Sequence, residues 1–404
     1  MKKILIFSLN YYPRFVGGAE VAIREITNRI PQSEIEFHMI TLWHDRSLPK
    51  IHKVGNVLVH RIGFATNNPD ISDLKRYPLV LNRYLFQLYA CWHALLLHKR
   101  HSYDGIWAVM AHSAGIPAGL FKRFVPSVPY TLSLQEGDPL PLIERMMVPV
   151  WPLFKNAFTA ADRVQAISTF LGAWASRMGY AGEVAVVPNG VDHARFSAPV
   201  PREVRIKERR ALQIQEQDTV LVTASRLVHK NGVDTVIEAL SLLPKHVCFV
   251  IYGNGPDETK LKALAERIGV AERVRFVGKV SHADLPVKLS VGDIFIRASR
   301  SEGMGNAFIE AFAKGLPVIG TREGGITDFL YDGTEDATHE KTGWVVKKDE
   351  PATIQRAVED IMARPGTVKA VVERAQKLAQ HHYDWETIVL SFKKERLFDP
   401  IKVS

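Results

Sequence analysis

A chain of 404 residues, 46% apolar and 24% charged, has the size and composition of a soluble globular protein of two domains. Its two cysteines, Cys91 and Cys248, each lie inside an apolar run, which excludes a disulfide framework or a cysteine zinc site and predicts buried thiols in a reducing compartment. The formal charge of +9 divides into +7 on residues 1–200 and +2 on residues 201–404; the first half is expected to meet an anionic partner, and with no motif of the usual nucleic-acid modules present, nucleic acid is not expected.

Met1-Lys2-Lys3 opens the run ILIFSL, which is too short for a signal peptide and reads as a first strand over residues 2–9. A loop through Gly17-Gly18 leads to a helix over Ala19–Arg29, and strands follow at Phe37–Leu42 and Val57–Ile62. Leu79–His98 is apolar and aromatic between Lys75-Arg76 and Lys99-Arg100. It reads either as a surface helix dipping into a membrane interface or as a packed helix with basic ends, and the sequence alone favours the packed helix. No stretch holds 18 uninterrupted apolar residues, so no membrane span is expected. The expected location is cytoplasmic, with peripheral contact to the cytoplasmic face of an anionic membrane as a further expectation.

Asp104–Ala111 is a strand with His112 at its carboxyl end, where open α/β sheets hold ligands. Tyr130–Leu134 is another, ending in the acidic cluster Gln135-Glu136-Gly137-Asp138 at a similar edge. Strands at Val164–Ser168 and Val184–Val187 close this half, and the charged, Pro-flanked residues 199–215 mark a boundary.

The second half repeats strand, glycine turn, helix. Thr219–Ala224 leads through a turn carrying Arg226, Lys230 and Asn231 to a helix at Val233–Leu243. Val247–Tyr252 leads to Gly253-Asn254-Gly255-Pro256, and Val274–Val277 to Gly278-Lys279. Asp293–Ala298 leads through Ser301, Gly303 and Gly305 to a helix at Asn306–Lys314, which Gly315 and Pro317 end. A helix N-terminus attracts phosphate, and glycines admit a ligand close to the backbone. Glu302 and Glu310 flank this anion site; carboxylates there make sense if they grip hydroxyls of a sugar attached to the phosphate. No Asp-x-Asp occurs in the chain, so no metal is expected to bridge a diphosphate. Three helices follow, at 351–363, 367–381 and Asp384–Phe398.

Glu302-x7-Glu310 with Ala311, Gly315 and Pro317-Val318-Ile319 resembles the donor-sugar motif of the family-4 retaining glycosyltransferases. Gly17-Gly18, Pro188–Asp192, the Arg226 turn and Gly253-x-Gly255-Pro256 resemble further family motifs. The usual lysine position before the glycine of the Arg226 turn is Asn231 here, with Lys230 one residue earlier. The resemblance implies the GT-B fold, α/β, with two doubly wound Rossmann-like domains facing a cleft and a last helix crossing back to the first domain, anchored by Trp385, Ile388, Val389 and Phe392. It implies an acceptor-side domain at 1–198, a nucleotide-sugar domain at 199–383 and the crossing segment at 384–404.

The implied function is retaining transfer of a sugar from a nucleoside-diphosphate sugar, such as a UDP-sugar, to a hydroxyl acceptor that is a glycan or lipid-linked, without metal or other cofactor. Glu302, Arg226 and His112 would be catalytic. Gly18, Lys230, Gly253, Gly255, Lys279, Met304, Gly305, Asn306, Ala307 and Glu310 would bind the donor, with Glu136 and Asp138 on the acceptor side. A nucleotide-sugar epimerase of the same fold and a non-catalytic nucleotide-sugar-binding protein are the alternatives.

Overall fold

The computed structural model describes every residue except 15, 71–72, 334–338 and 400–404, so the end of the expected C-terminal segment lies outside the described residues. The chain forms two compact units. The first comprises Met1–Glu136, Leu140–Asn189 and the chain from Trp385 onward; the second comprises Gly137–Pro139 and Gly190–Asp384. The passage from one to the other falls at Asn189–Gly190, ahead of residue 198, because Phe196 is fully buried and packs its ring against His282 of the second unit.

Among the described residues of the first unit, eight strands run β1 (Lys2–Phe7), β2 (Ile35–Leu42), β3 (Ile51–Val54), β4 (Val57–Ile62), β5 (Gly105–Val109), β6 (Tyr130–Leu134), β7 (Arg163–Ala166) and β8 (Val184–Val186). Their order in the sheet is β3-β4-β2-β1-β5-β6-β7-β8. Among the described strands only the edge strand β3 is antiparallel, as a hairpin on β4, and the sequence reading did not pick it out. The helices are α1 (Gly18–Arg29), α2 (Leu79–His101), α3 (Ile116–Phe124), α4 (Leu140–Met147), α5 (Trp151–Thr159) and α6 (Thr169–Arg177). β1, β5 and β6 are buried along nearly their whole length, as parallel strands covered on both faces must be.

Among the described residues the second unit has six strands, β9 (Thr219–Ala224), β10 (Val247–Tyr252), β11 (Val274–Gly278), β12 (Ile294–Arg297), β13 (Val318–Gly320) and β14 (Trp344–Val345), all parallel in the order β11-β10-β9-β12-β13-β14. Its helices are α7 (His193–Ser197), α8 (Arg202–Ala211), α9 (Val233–Leu240), α10 (Glu258–Arg267), α11 (Leu285–Leu289), α12 (Asn306–Lys314), α13 (Pro351–Ala363) and α14 (Pro365–His382). Leu221, Ile237, Phe249, Ile251, Ile296 and Ile319 make one continuous core between sheet and helices.

The last helix, α15 (Trp385–Lys394), packs in the first unit. Its spacing of Trp385, Ile388, Val389 and Phe392 puts all four on one face, in the same core cluster as Ile4, Ile23, Phe37 and Trp107. Arg29 pairs with Glu386 at 2.9 Å, and Thr131 Oγ1 donates to the Leu397 carbonyl at 2.6 Å. Helix α15 and Leu397 are therefore part of the first unit's own core.

Candidate active site

The register of the second sheet brings three turns to one edge. Ala224 lies beside Tyr252, and Phe295 beside Val222, so β9, β10 and β12 end side by side and their following turns converge. The turns touch backbone to backbone. A Cβ on Gly232 would lie 1.8 Å from the Ala298 carbonyl oxygen, and one on Gly253 1.8 Å from that of Ser225. A Cβ on Gly255 would lie 2.2 Å from the Leu227 carbonyl. Packing of turn on turn thus already accounts for the glycines at 253 and 255.

Arg226 is exposed at the first of these turns, and among the described residues its guanidinium has no partner. Its carbonyl is held by Asn231 Nδ2 at 2.7 Å. Asn231 is buried, so the position of the family's usual lysine holds a structural amide here. Lys230 Nζ donates to the Gly137 carbonyl and pairs with Asp138 at 3.3 Å within the second unit. Arg300 binds this turn to the one after β12: its amide donates to the Lys230 carbonyl, and its guanidinium grips Asp234. Burial pulls the Arg300 pKa down, but Asp234 and Asp349 outweigh it and raise the value.

Glu302 follows β12 and is buried; it pairs with Arg297 and accepts from Ser299 Oγ at 3.3 Å. Its carbonyl accepts the Gly325 amide at 3.1 Å, and a Cβ on Gly324 would lie 1.9 Å from that carbonyl. Gly305 adopts φ +96° to start α12, a conformation that other residues rarely tolerate. Met304 is buried beneath the turn, and Asn306 and Ala307 open the first turn of α12, where the Phe308 amide donates to the Gly305 carbonyl at 3.0 Å. Glu310, in the second turn, meets His282 Nε2 at 2.8 Å, and His282 Nδ1 meets Arg195 at 2.9 Å. Lys279 is exposed just beyond β11, at the sheet's edge.

One sheet edge therefore carries an arginine, a helix N-terminus and two carboxylates, a set suited to a diphosphate with hydroxylated groups on either side. Arg297 and Ser299, which fix Glu302, were not singled out in the sequence; the available signal is a charged residue ending an otherwise apolar strand.

Residues 204–378 match the family described as glycosyl transferases group 1, and residues 16–195 match glycosyltransferase family 4. The chain belongs to the family-4, group-1 glycosyltransferases. A GDP-mannose-dependent α-(1-6)-phosphatidylinositol monomannoside mannosyltransferase of Mycolicibacterium smegmatis is 31% identical over 59% of this chain and 64% of the relative. The match to the Mycobacterium tuberculosis protein of that name spans 59% of its length, so the chain covers about 60% of the curated mannosyltransferases it matches. A glycosyltransferase of Methanocaldococcus jannaschii is 24% identical over 96% of this chain and 95% of its own.

The fold is that of solved GT-B enzymes. Sucrose-phosphate synthase from Thermosynechococcus elongatus superposes with a TM-score of 0.78 over 98% of both chains at 18% identity. Anabaena HepE in complex with UDP and glucose gives 0.76 over 98% of this chain and 99% of its own at 20% identity.

The remaining site candidates lie in the first unit. Gly18 is the exposed first residue of α1; Glu20 Oε2 accepts the Gly17 amide at 2.7 Å and closes the turn, and burial raises the Glu20 pKa. His112 lies in a wide helical turn, Ala111–Gly115, directly after β5, with Met110 at φ +73°. Because β5 and β6 are neighbours, Glu136 arrives beside it. The Glu136 side chain is buried: Oε1 accepts the Ala111 amide at 2.6 Å and faces His112 Nδ1 at 3.3 Å, while Oε2 accepts the Gln135 amide at 3.0 Å. Glu136, expected on the acceptor side, is turned toward His112, and Asp138 toward Lys230.

Proposed function

We propose that the protein transfers a hexosyl unit from a nucleoside-diphosphate sugar to a hydroxyl acceptor, with retention at the anomeric carbon. The observation that carries this reading is the edge of the second sheet, where Arg226, the first turn of α12, Glu302 and Glu310 converge. Arg226 and the α12 N–H groups bind the diphosphate and stabilise the negative charge that grows on it as the glycosidic C–O bond breaks. Glu302 accepts hydrogen bonds from sugar hydroxyls and Glu310 from the ribose. Transfer proceeds on one face: the acceptor oxygen bonds to the anomeric carbon on the side from which the diphosphate leaves, and the acceptor's proton passes to the departing phosphate oxygen. His112, fixed by Glu136, is read as a contact to the donor sugar.

Thermal stabilisation by UDP-glucose, GDP-mannose, UDP and GDP tests donor binding, because a ligand that binds only the folded state raises its stability. A shift with at least one nucleotide sugar is expected, and none with any of the four would overturn the reading. Transfer is expected to persist in excess chelator; complete loss restored by magnesium or manganese would overturn the metal-free part of it. Anomeric configuration of the product, read by NMR, checks retention.

The acceptor is proposed to be lipid-linked and to be met at an anionic membrane surface. α2 carries the supporting observation, an exposed apolar stripe of Tyr84, Leu85, Leu88, Tyr89, Trp92 and Leu96. No described helix is long and apolar enough to cross a membrane, so the contact would be peripheral.

A further inference from the structure

Arg297 ends β12 with its side chain only 12% exposed. Its Nη2 donates to Asn231 Oδ1 at 2.9 Å and pairs with Glu302 Oε1. Asn231 Nδ2 in turn donates to the Arg226 carbonyl at 2.7 Å. A continuous hydrogen-bonded chain thus runs from the Arg226 turn to Glu302. Both donors to the Glu302 side chain, Arg297 and Ser299, fall on Oε1; among the described residues Oε2 has no partner.

We infer that Arg297 is a positioning residue of the donor site: it holds Oε1 of Glu302 so that Oε2 is presented to a sugar hydroxyl, and Asn231 locks Arg297 in place. This rests on the donor reading above. The residue types fit the task. An amide donates to a carbonyl and accepts from a guanidinium at once. Aspartate at 231 could not donate, and lysine there would set a second cation against Arg297. With Arg297 shortened to leucine the requirement reverses. Asn231 Oδ1 and Glu302 Oε1 lie against the same Nη2, so a longer lysine side chain at position 231 is expected to reach Glu302 once Arg297 is shortened. The native pair of Asn231 with Arg297, and the double substitution Asn231→Lys with Arg297→Leu, are then two ways of bringing one cation to the same carboxylate oxygen.

Isothermal titration with UDP and UDP-glucose, and with GDP and GDP-mannose, measures what the sugar adds to binding. Arg297→Leu is expected to weaken the bound nucleotide sugar roughly 10- to 100-fold, the worth of one charge-assisted hydrogen bond, while the parent nucleoside diphosphate changes by less than about threefold. Arg297→Lys should fall between wild type and Arg297→Leu. The pair Arg297→Leu with Asn231→Lys should recover most of the loss, although Asn231→Lys alone weakens binding. An unchanged sugar contribution in Arg297→Leu, an equal loss for sugar-free nucleotide, or a double variant no better than Arg297→Leu overturns the inference. If Arg297→Leu does not melt cooperatively, Arg297→Lys decides by the same ratio. A wild type that binds none of the four ligands overturns the donor reading itself; a wild type that binds, with variants that fail these expectations, overturns the inference alone.

Discussion

Glu136 Oε1 accepts the Ala111 amide at 2.6 Å and lies 3.3 Å from His112 Nδ1, so one buried carboxylate fixes both the backbone and the ring of the turn after β5. With Nδ1 engaged, Nε2 is the ring nitrogen left to meet a ligand. Glu136→Gln keeps the shape but removes the charge, and is expected to lower kcat/KM about 10- to 100-fold. In a His112→Ala background the same change should cost little more, since residues acting as a unit are not additive. Steady-state kinetics of the two single variants and the double variant check this, and an undiminished effect of Glu136→Gln without His112 would separate the two residues.

Arg226 and Lys230 are expected to differ. Arg226 is exposed at the turn with no partner for its guanidinium among the described residues, whereas Lys230 is held by Gly137 and Asp138. Removing a cation that stabilises growing diphosphate charge costs roughly 2–4 kcal/mol, about 30- to 1,000-fold in rate. Arg226→Ala is expected in that range, and Lys230→Ala at about tenfold or less. Near-normal turnover of Arg226→Ala, or a larger loss from Lys230→Ala, would reverse the assignment.

The second unit was more legible in the sequence than the first, for physical reasons. Its strands are short apolar runs closed by glycine turns, and α12 shows its period through Ala307, Phe308, Ala311 and Phe312. α3 holds Pro117 and Gly119 in an apolar stretch without polar alternation, so no period marks it as a helix. The hairpin β3–β4 turns at Gly55-Asn56, where Asn28 Oδ1 of α1 accepts the Asn56 amide, a contact no local pattern reveals. Glu136 read as an acidic cluster at a sheet edge because burial is a property of the neighbouring strands. Likewise, that Asn231 and Arg297 meet depends on β9 and β12 being adjacent, although the sequence separates them by 66 residues.

Acidification is expected to destabilise the first unit. His60 on β4 is only 4% exposed, and among the described residues neither ring nitrogen has a hydrogen-bond partner. Burial first, then the neighbouring His38, His93, His101 and Arg100, hold its pKa down at about 4. The ordinary value is about 6.5, so the fold binds the neutral ring. Its contribution is complete above about pH 6.5 and is lost as pH falls toward 4, amounting to about 3 kcal/mol at most. Melting temperatures between pH 7.5 and 4.5 should fall most steeply below pH 6.5. His60→Leu should shrink that fall, and an unchanged pH dependence in this variant would exclude His60 as its source.

Helix α2 is apolar on both of its faces. Asn82, Phe86, Ala90, Ala94 and Leu97 face the core, while on the other side Tyr84 is 72% exposed, Leu88 70% and Trp92 53%. An ordinary surface helix would be polar there. Lys75 and Arg76 precede it, Arg83 lies on its exposed side, and Lys99 and Arg100 close it. Asp104 is the only acid between Leu74 and Gln135, against seven Lys and Arg residues. A bare apolar stripe with cations at both ends and no acid is expected to suit an anionic bilayer, with headgroups at the basic ends and the aromatic residues in the interface. Each cation near such a surface contributes about 1 kcal/mol, screened over a Debye length of about 10 Å at 0.1 M salt. Co-sedimentation with vesicles of phosphatidylcholine and phosphatidylglycerol is expected to show binding that needs the anionic lipid and weakens as salt rises. Neutralising Lys75, Arg76, Lys99 and Arg100 should weaken it strongly, and so should Leu88→Ser with Trp92→Ser. Because those side chains are exposed, the melting temperature should hold. Failure to bind anionic vesicles at low salt rules the membrane surface out; concentration-dependent dimerisation lost in Leu88→Ser with Trp92→Ser would assign the stripe to a second copy of the chain instead.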